Sequence, residues 1–227
     1  MNLGWASCLA LRSTLGDQLV IGDRLNQWAA DELTNRINPA LALREALDAP
    51  GLETLYPFQR AGVMFMKIAK RAICADEMGT GKTRQAIATM MSHYIDGVDP
   101  FPILIVCPNS TKLGWKREFE EVWPGLEVTV VKGNITQRRK QLSTPAHVFI
   151  MNWESIRSHS RLAAYGNTAF VLCEECGGED PKISAAACHA HEGELNRINF
   201  KAVVAVECHK MKDGASQQTR ALKAATG

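Results

Sequence analysis

From Tyr56 onward the apolar positions of this chain fall into two periods. Phe58, Gly62, Phe65, Met66 and Ala69 recur at helical spacing and predict a helix with one buried face. Short unbroken apolar runs follow at Ala72–Ala75, Ile103–Cys107, Val128–Val131, Val148–Met151 and Ala202–Val206, separated by helical segments. A run without alternation suits a strand covered on both faces. Strands of this kind alternating with helices predict a doubly wound α/β domain, a mostly parallel sheet flanked by helices. Ahead of it, residues 1–50 read as a leader whose Ala- and Leu-rich stretch from Leu25 to Leu47 is helical, closed by Ala49-Pro50-Gly51. Residues 173–198 interrupt the rhythm with Gly, Pro, Cys and His and read as an insertion into a domain spanning 51–227.

Composition narrows the classes. A chain of 227 residues with 46% hydrophobic content can bury a sizeable core. Lys plus Arg minus Asp plus Glu is 26 − 24 = +2, so any nucleic-acid contact must come from local patches. No apolar run approaches a membrane span, because Lys67 interrupts the best one, Ala61–Ala69. The N-terminus has no basic region before its short apolar stretch and does not resemble a secretory signal. These features predict a cytoplasmic protein. In a reducing compartment, closely spaced members of its seven cysteines would bind metal rather than pair.

The segment Ala75-Asp76-Glu77-Met78-Gly79-Thr80-Gly81-Lys82-Thr83 follows a predicted strand and opens a predicted helix through Ile87, Met90 and Met91. Gly79 and Gly81 allow a turn whose N–H groups converge on phosphate oxygens, at a helix N-terminus that favours negative charge. Lys82 would neutralise the β- and γ-phosphates, and the Thr83 hydroxyl would ligate magnesium (Mg2+). The first glycine of the general phosphate-loop pattern would fall at Asp76, so that pattern is only partly met.

Asp76–Thr83 resembles the phosphate loop of Swi/Snf-type members of the superfamily II helicases, and four more segments stand in that family's order. Tyr56–Val63 is similar to its adenine-reading glutamine motif. Ile103–Phe119, with Cys107-Pro108 and Trp115, and Phe149–Glu154 are similar to two motifs that touch the nucleic-acid backbone. Val203–Leu222, with Glu207-Cys208-His209, is similar to the acidic motif. The overall pattern, cysteine-rich insertion included, is most similar to phage-encoded members, which places such a protein in a host cytoplasm.

The resemblance implies a RecA-like P-loop NTPase lobe that binds ATP, with Gln59, Met78, Gly79, Thr80, Gly81, Lys82 and Thr83 around the nucleotide. It implies an ATP hydrolase whose motor lobe moves on DNA, double-stranded by the Swi/Snf likeness. Catalytic roles fall to Lys82, Thr83, Glu207, which would activate water, and His209, which would couple the nucleotide to a second lobe. Pro108, Ser110, Lys112 and Asn152 would lie along the phosphodiester backbone. On the residues alone, a helix cap and a solvated lysine explain Pro108, Ser110 and Lys112 equally well, and an N-cap explains Asn152. Trp115 reads as core, and Arg138-Arg139-Lys140 reads as a solvated helix face rather than a DNA contact.

Two features depart from the family. An aspartate before the glutamate normally holds magnesium, and here the position is Val206, which has no oxygen to offer. ATP binding with weak hydrolysis is the expectation. The sequence ends at Gly227 before the family's next motif and its second RecA-like lobe, which supplies the arginine that completes the ATP site. A catalytically silent nucleotide- or DNA-binding module, or a truncated fragment, is therefore the alternative.

Within the insertion, Cys173-x-x-Cys176 and Cys188-x-x-His191 have the paired spacing of a structural zinc (Zn2+) knuckle, a binding insertion over 173–191. His189 competes with His191 for the fourth position. Metal binding would supply the folding energy of a loop with so little apolar content. Cys74, Cys107 and Cys208 read as small buried residues, and Cys8 carries no signal.

Overall fold

A computed structural model describes residues 53–163 and 193–225, the backbone of two short strands between them, and residues 14, 22–24 and 27. The leader helix, apart from Gln27, lies outside the described residues, as do Cys8 and the four zinc-ligand candidates with His189. Four parallel strands form the sheet: β1 (Ile103–Cys107), β2 (Val128–Val130), β3 (Val148–Asn152) and β6 (Ala202–Ala205), in the order β2-β3-β1-β6. The remaining pair, β4 (Phe170–Leu172) and β5 (Glu179–Pro181), is a separate antiparallel ribbon.

Period-two alternation explains why β1 and β3 carry unbroken apolar runs. Ile103, Ile105, Cys107, Val148 and Ile150 point to one face, where they meet Ile87, Met90, Trp115 and Phe119. Those four residues come from helices α2 (Lys82–Ile95) and α3 (Lys112–Val122). Leu104, Val106, Phe149 and Met151 point to the other face, against Leu142, Trp153, Ile156, Leu195 and Leu222. These belong to α4 (Ile135–Ser143), α5 (Trp153–Ile156), α6 (Glu194–Arg197) and α7 (Gln217–Ala225). The predicted α/β class therefore holds, and Trp115 is core.

Three expectations are corrected. Ala72–Ala75 forms no ladder: residues 72–77 are without regular structure, and Ile73 is 74% exposed. With one large apolar side chain among four, this run offers too little burial to offset the cost of ordering a strand. The helix α1 (Pro57–Ala69) exists, but Gln59, Val63 and Met64 are its buried residues, while Phe58 and Phe65 are exposed. It docks closely on α2 instead of on the sheet. A Cβ at Gly62 would stand 2.1 Å from Gln85 Oε1, so glycine at 62 is what lets the two helices meet. Cys208 is exposed, whereas Cys107 is buried and Cys74 half-buried, because Cys208 lies in the turn after β6 and not in the strand.

Candidate nucleotide and nucleic-acid site

The phosphate loop is built by two left-handed glycines, Gly79 (φ 83°) and Gly81 (φ 76°), the second being the N-cap of α2. Helix α2 starts at Lys82, so its free N–H groups face the loop. The Lys82 ammonium donates to the carbonyls of Asp76 (2.8 Å) and Glu77 (2.6 Å), spanning the loop from inside. The Thr80 hydroxyl donates to Glu77 O at 2.8 Å, and Met78 stands out at 94% exposure.

Gln59 is buried behind the loop. Its Oε1 accepts the Tyr56 N–H (3.0 Å) and its Nε2 donates to Thr80 O (2.9 Å), so the amide ties α1 to the loop. A Cβ on Gly81 would fall 2.4 Å from Gln59 Nε2. One N–H and one lone pair of this amide remain for a ligand such as an adenine edge. Sequence reasoning missed Gln85. It is fully buried, donates from Nε2 to Asp76 Oδ2 at 2.9 Å, and leaves its Oε1 without a partner. Its position one turn into a loop-opening helix was the available signal.

This cradle fits a triphosphate: glycine-only backbone, helix N-terminus and lysine converge at one place. Magnesium is served less well. Thr83 offers its hydroxyl at the start of α2. Val206 offers none, and its side chain packs half-buried on the cluster that holds Ile87 and Cys107.

Glu207 follows at the C-terminal end of β6 in a left-handed conformation (φ 57°, ψ 51°), which costs a non-glycine residue roughly 1–2 kcal/mol. Neighbouring bonds hold it there. Val206 N–H donates to Val106 O (2.8 Å), and Val206 O accepts the Trp153 indole N–H (2.9 Å). Lys210 N–H closes the turn on Glu207 O at 3.0 Å. The exposed Glu207 carboxylate lies 3.2 Å from His209 Nδ1.

At the C-terminal ends of β1, β2 and β3 a cleft of about 630 Å³ is lined by Asn109, Lys112, Lys132, Arg138, Asn152 and Glu154, among others. Two of the four predicted backbone-contact residues meet there. Lys112 is buried, not solvated, and donates to Val131 O (3.1 Å) and Asn152 Oδ1 (3.4 Å). Burial, with the charges of Arg138 and Lys132, holds its ammonium below the ordinary lysine value. Asn152 precedes α5 as its N-cap, yet its side chain caps no backbone N–H. Its Oδ1 accepts from Ser155 Oγ (2.8 Å), and its Nδ2 donates to Glu154 (2.8 Å). That bond and Lys210, 3.3 Å away, pull the Glu154 carboxyl below its usual range. Pro108 and the exposed Ser110 sit on the short turn between β1 and α3 and are not among the residues that line the cleft. Arg138 is corrected: it is half-buried and bonded, not part of a freely solvated face.

Among the described residues no group of three or more His, Cys, Asp or Glu could hold a metal, and no helix is long and apolar enough to cross a membrane.

Comparison with known proteins matches residues 58–226 to the model of the SNF2-related domain. An uncharacterized ATP-dependent helicase of Mycoplasma genitalium is 29% identical over 150 residues, 63% of this chain and 14% of its own length. A SWI/SNF-related matrix-associated actin-dependent regulator of chromatin subfamily A-like protein 1 homolog from Caenorhabditis elegans is 31% identical over 179 residues, covering 78% of this chain and 21% of that protein. The chain thus spans about a fifth or less of these relatives. Among solved structures, the Sulfolobus solfataricus SWI2/SNF2 ATPase core in complex with dsDNA shares the fold, with a TM-score of 0.54 at 20% identity over 76% of this chain and 30% of the other.

Proposed function

Because the chain belongs to the SNF2-related family, whose domain match covers residues 58–226, we propose that it is the ATP-binding motor lobe of a translocase acting on double-stranded DNA. The observation that carries this reading is the loop 76–83, where left-handed Gly79 and Gly81, Lys82 and the start of α2 form a cradle braced from behind by Gln59. In it Lys82 would release the Asp76 and Glu77 carbonyls and take up phosphate oxygens. Thr83 would hold the metal, and bound magnesium would neutralise charge on the phosphate chain. Glu207 would orient the attacking water, and His209, 3.2 Å from it, would face a second RecA-like lobe whose arginine completes the site. Support for the DNA partner comes from the cleft that joins Lys112 and Asn152, and from the dsDNA in the complex of the Sulfolobus solfataricus ATPase core that shares the fold.

Val206 favours a second reading, a lobe that binds ATP and DNA with little turnover. A valine packed on the core cluster leaves the metal one protein oxygen fewer than the family uses, which weakens stabilisation of the leaving γ-phosphoryl group more than nucleotide binding. DNA-stimulated ATPase assays on the chain and on Val206→Asp, each joined to a second lobe of the family, separate the readings. The motor reading expects Val206→Asp to raise turnover at least about tenfold, some 1.4 kcal/mol of barrier, with nucleotide affinity little changed. If the joined Val206→Asp protein gains no DNA-stimulated hydrolysis, the motor reading fails and the silent module stands.

The structural zinc assignment to Cys173, Cys176, Cys188 and His191, with His189 as rival fourth ligand, belongs to the same proposal. What supports it, besides spacing, is that residues 173–178 connect the antiparallel strands β4 and β5, in the register Leu172↔Glu179.

A further inference from the structure

Behind Arg138, which lines the cleft, lies a buried histidine that the functions above leave unused. His159 is 0% exposed and lies just after α5. Its Nδ1 is 2.9 Å from Glu194 Oε2, and its Nε2 is 3.0 Å from Arg138 Nε. A guanidinium only donates, so Nε2 is the acceptor and the ring proton sits on Nδ1, facing the carboxylate. Burial, only partly opposed by Glu194, lowers the pKa of His159, in keeping with a neutral ring. Arg138 is thereby held through Nε, and through Nη1 to Gly133 O at 3.1 Å.

Both acceptors of Arg138 are neutral, and its Nη2 has no partner among the described residues. The nearby carboxylates are spoken for: Glu194 takes His159 and Arg139 (3.0 Å), and Glu154 takes Asn152 and Lys210. Arg138, Lys112 and Lys132 therefore put three cations into one cleft against one occupied carboxylate. The segment entering α6 is clamped to this spot. A Cβ at Gly193 would lie 2.1 Å from His159 O, and Asn196 Oδ1 accepts from the N–H of both Arg161 (2.8 Å) and Gly193 (3.0 Å). Glu194 is thus fixed at the ring rather than swinging in solvent. A half-buried arginine bonded only to neutral groups, its free edge beside two lysines, is arranged to receive an anion.

We propose that Arg138 contacts a backbone phosphate of the nucleic acid, and that His159, oriented by Glu194, is its positioning residue. This rests on the DNA reading above. The contact is sequence-independent, since it uses a phosphodiester oxygen and no base edge. Fixing the guanidinium beforehand removes ordering that binding would otherwise have to impose.

The test is binding of the 227-residue chain to a fluorescent duplex across about 50 to 200 mM salt. Arg138→Ala should weaken binding and lower the slope of log affinity against log salt by about 0.9, the loss of one phosphate contact, while Arg138→Lys should keep most of the slope. His159→Phe fills the volume without an acceptor and should weaken binding about threefold to tenfold. His159→Gln restores an acceptor and should recover most of that loss. In an Arg138→Ala background, His159→Phe should add nothing further. An unchanged slope in Arg138→Ala, with the parent chain binding normally, overturns the phosphate contact. Additive losses in the double variant overturn the positioning role. Should His159→Phe fail to fold in a thermal melt, His159→Leu, likewise without an acceptor, takes its place alone and in the Arg138→Ala background. A parent chain without salt-dependent duplex binding sinks the DNA reading itself.

Discussion

Gly81 shows how one residue type is forced by two independent demands. Its φ of 76° is open to glycine and strained for other residues, and the Gln59 amide fills the space where a side chain would begin. Gly79 shares the first demand (φ 83°) but has nothing within 4 Å of a built Cβ. Gly81→Ala should therefore weaken binding of a fluorescent ATP analogue by at least about tenfold, and Gly79→Ala distinctly less, the shared part being the roughly 1–2 kcal/mol of left-handed strain. Equal losses would mean that the Gln59 contact does not matter to the loop. Gln85 carries a related constraint: its unpaired Oε1 faces Gly62, so helix packing and loop geometry share one side chain.

At the scale of elements, the ends of β3 and β6 are tied together more tightly than sheet pairing requires, since the two strands are not neighbours. β1 lies between them, and the Trp153 indole reaches past it to Val206 O. That bond anchors the residue before the strained Glu207 to the element that follows the cleft residue Asn152. Trp153→Phe should lower unfolding free energy by about 1 kcal/mol in a denaturant titration, the loss of one hydrogen bond to a half-buried carbonyl. In the Val206→Asp background it should cut turnover more than nucleotide affinity, because the group released sits beside Glu207. Loss of stability with unchanged turnover would show that Glu207 keeps its place without the indole.

For the whole molecule, one sheet carries two separately built sites. Helices α1 and α2 and the loop between them build the candidate nucleotide cradle, while the strand ends with residues of α3, α4 and α5 line the cationic cleft. The proposed zinc-binding segment 173–191 stands in the sequence between β3 and β6, just ahead of Gly193, which lies against the buried His159. Metal analysis of the chain purified without chelator should find one zinc per molecule. Cys173→Ser with Cys176→Ser should remove it, since two thiolates of four ligands are lost. Zinc-free parent protein retires the knuckle.

Read alone, the residues determined what is local. Unbroken apolar runs gave the parallel sheet because β1 and β3 are covered on both faces, and the Gly-x-Gly-Lys-Thr string gave the phosphate loop because its chemistry lies within a few consecutive residues. The failures were at contacts distant in sequence. The buried side of α1 followed from Gly62 meeting Gln85, 23 positions away and unreadable from periodicity, and the weak run at Ala72–Ala75 had no core to join. Arg138 read as one cation of a basic triplet until folding brought His159 and Glu194, 21 and 35 residues apart from their partners, around it. Side-chain type and spacing fix what a segment can do by itself. Which buried group meets which is decided only when loop closure and core packing select one arrangement, and the orientation of every charge in the cleft depends on that selection.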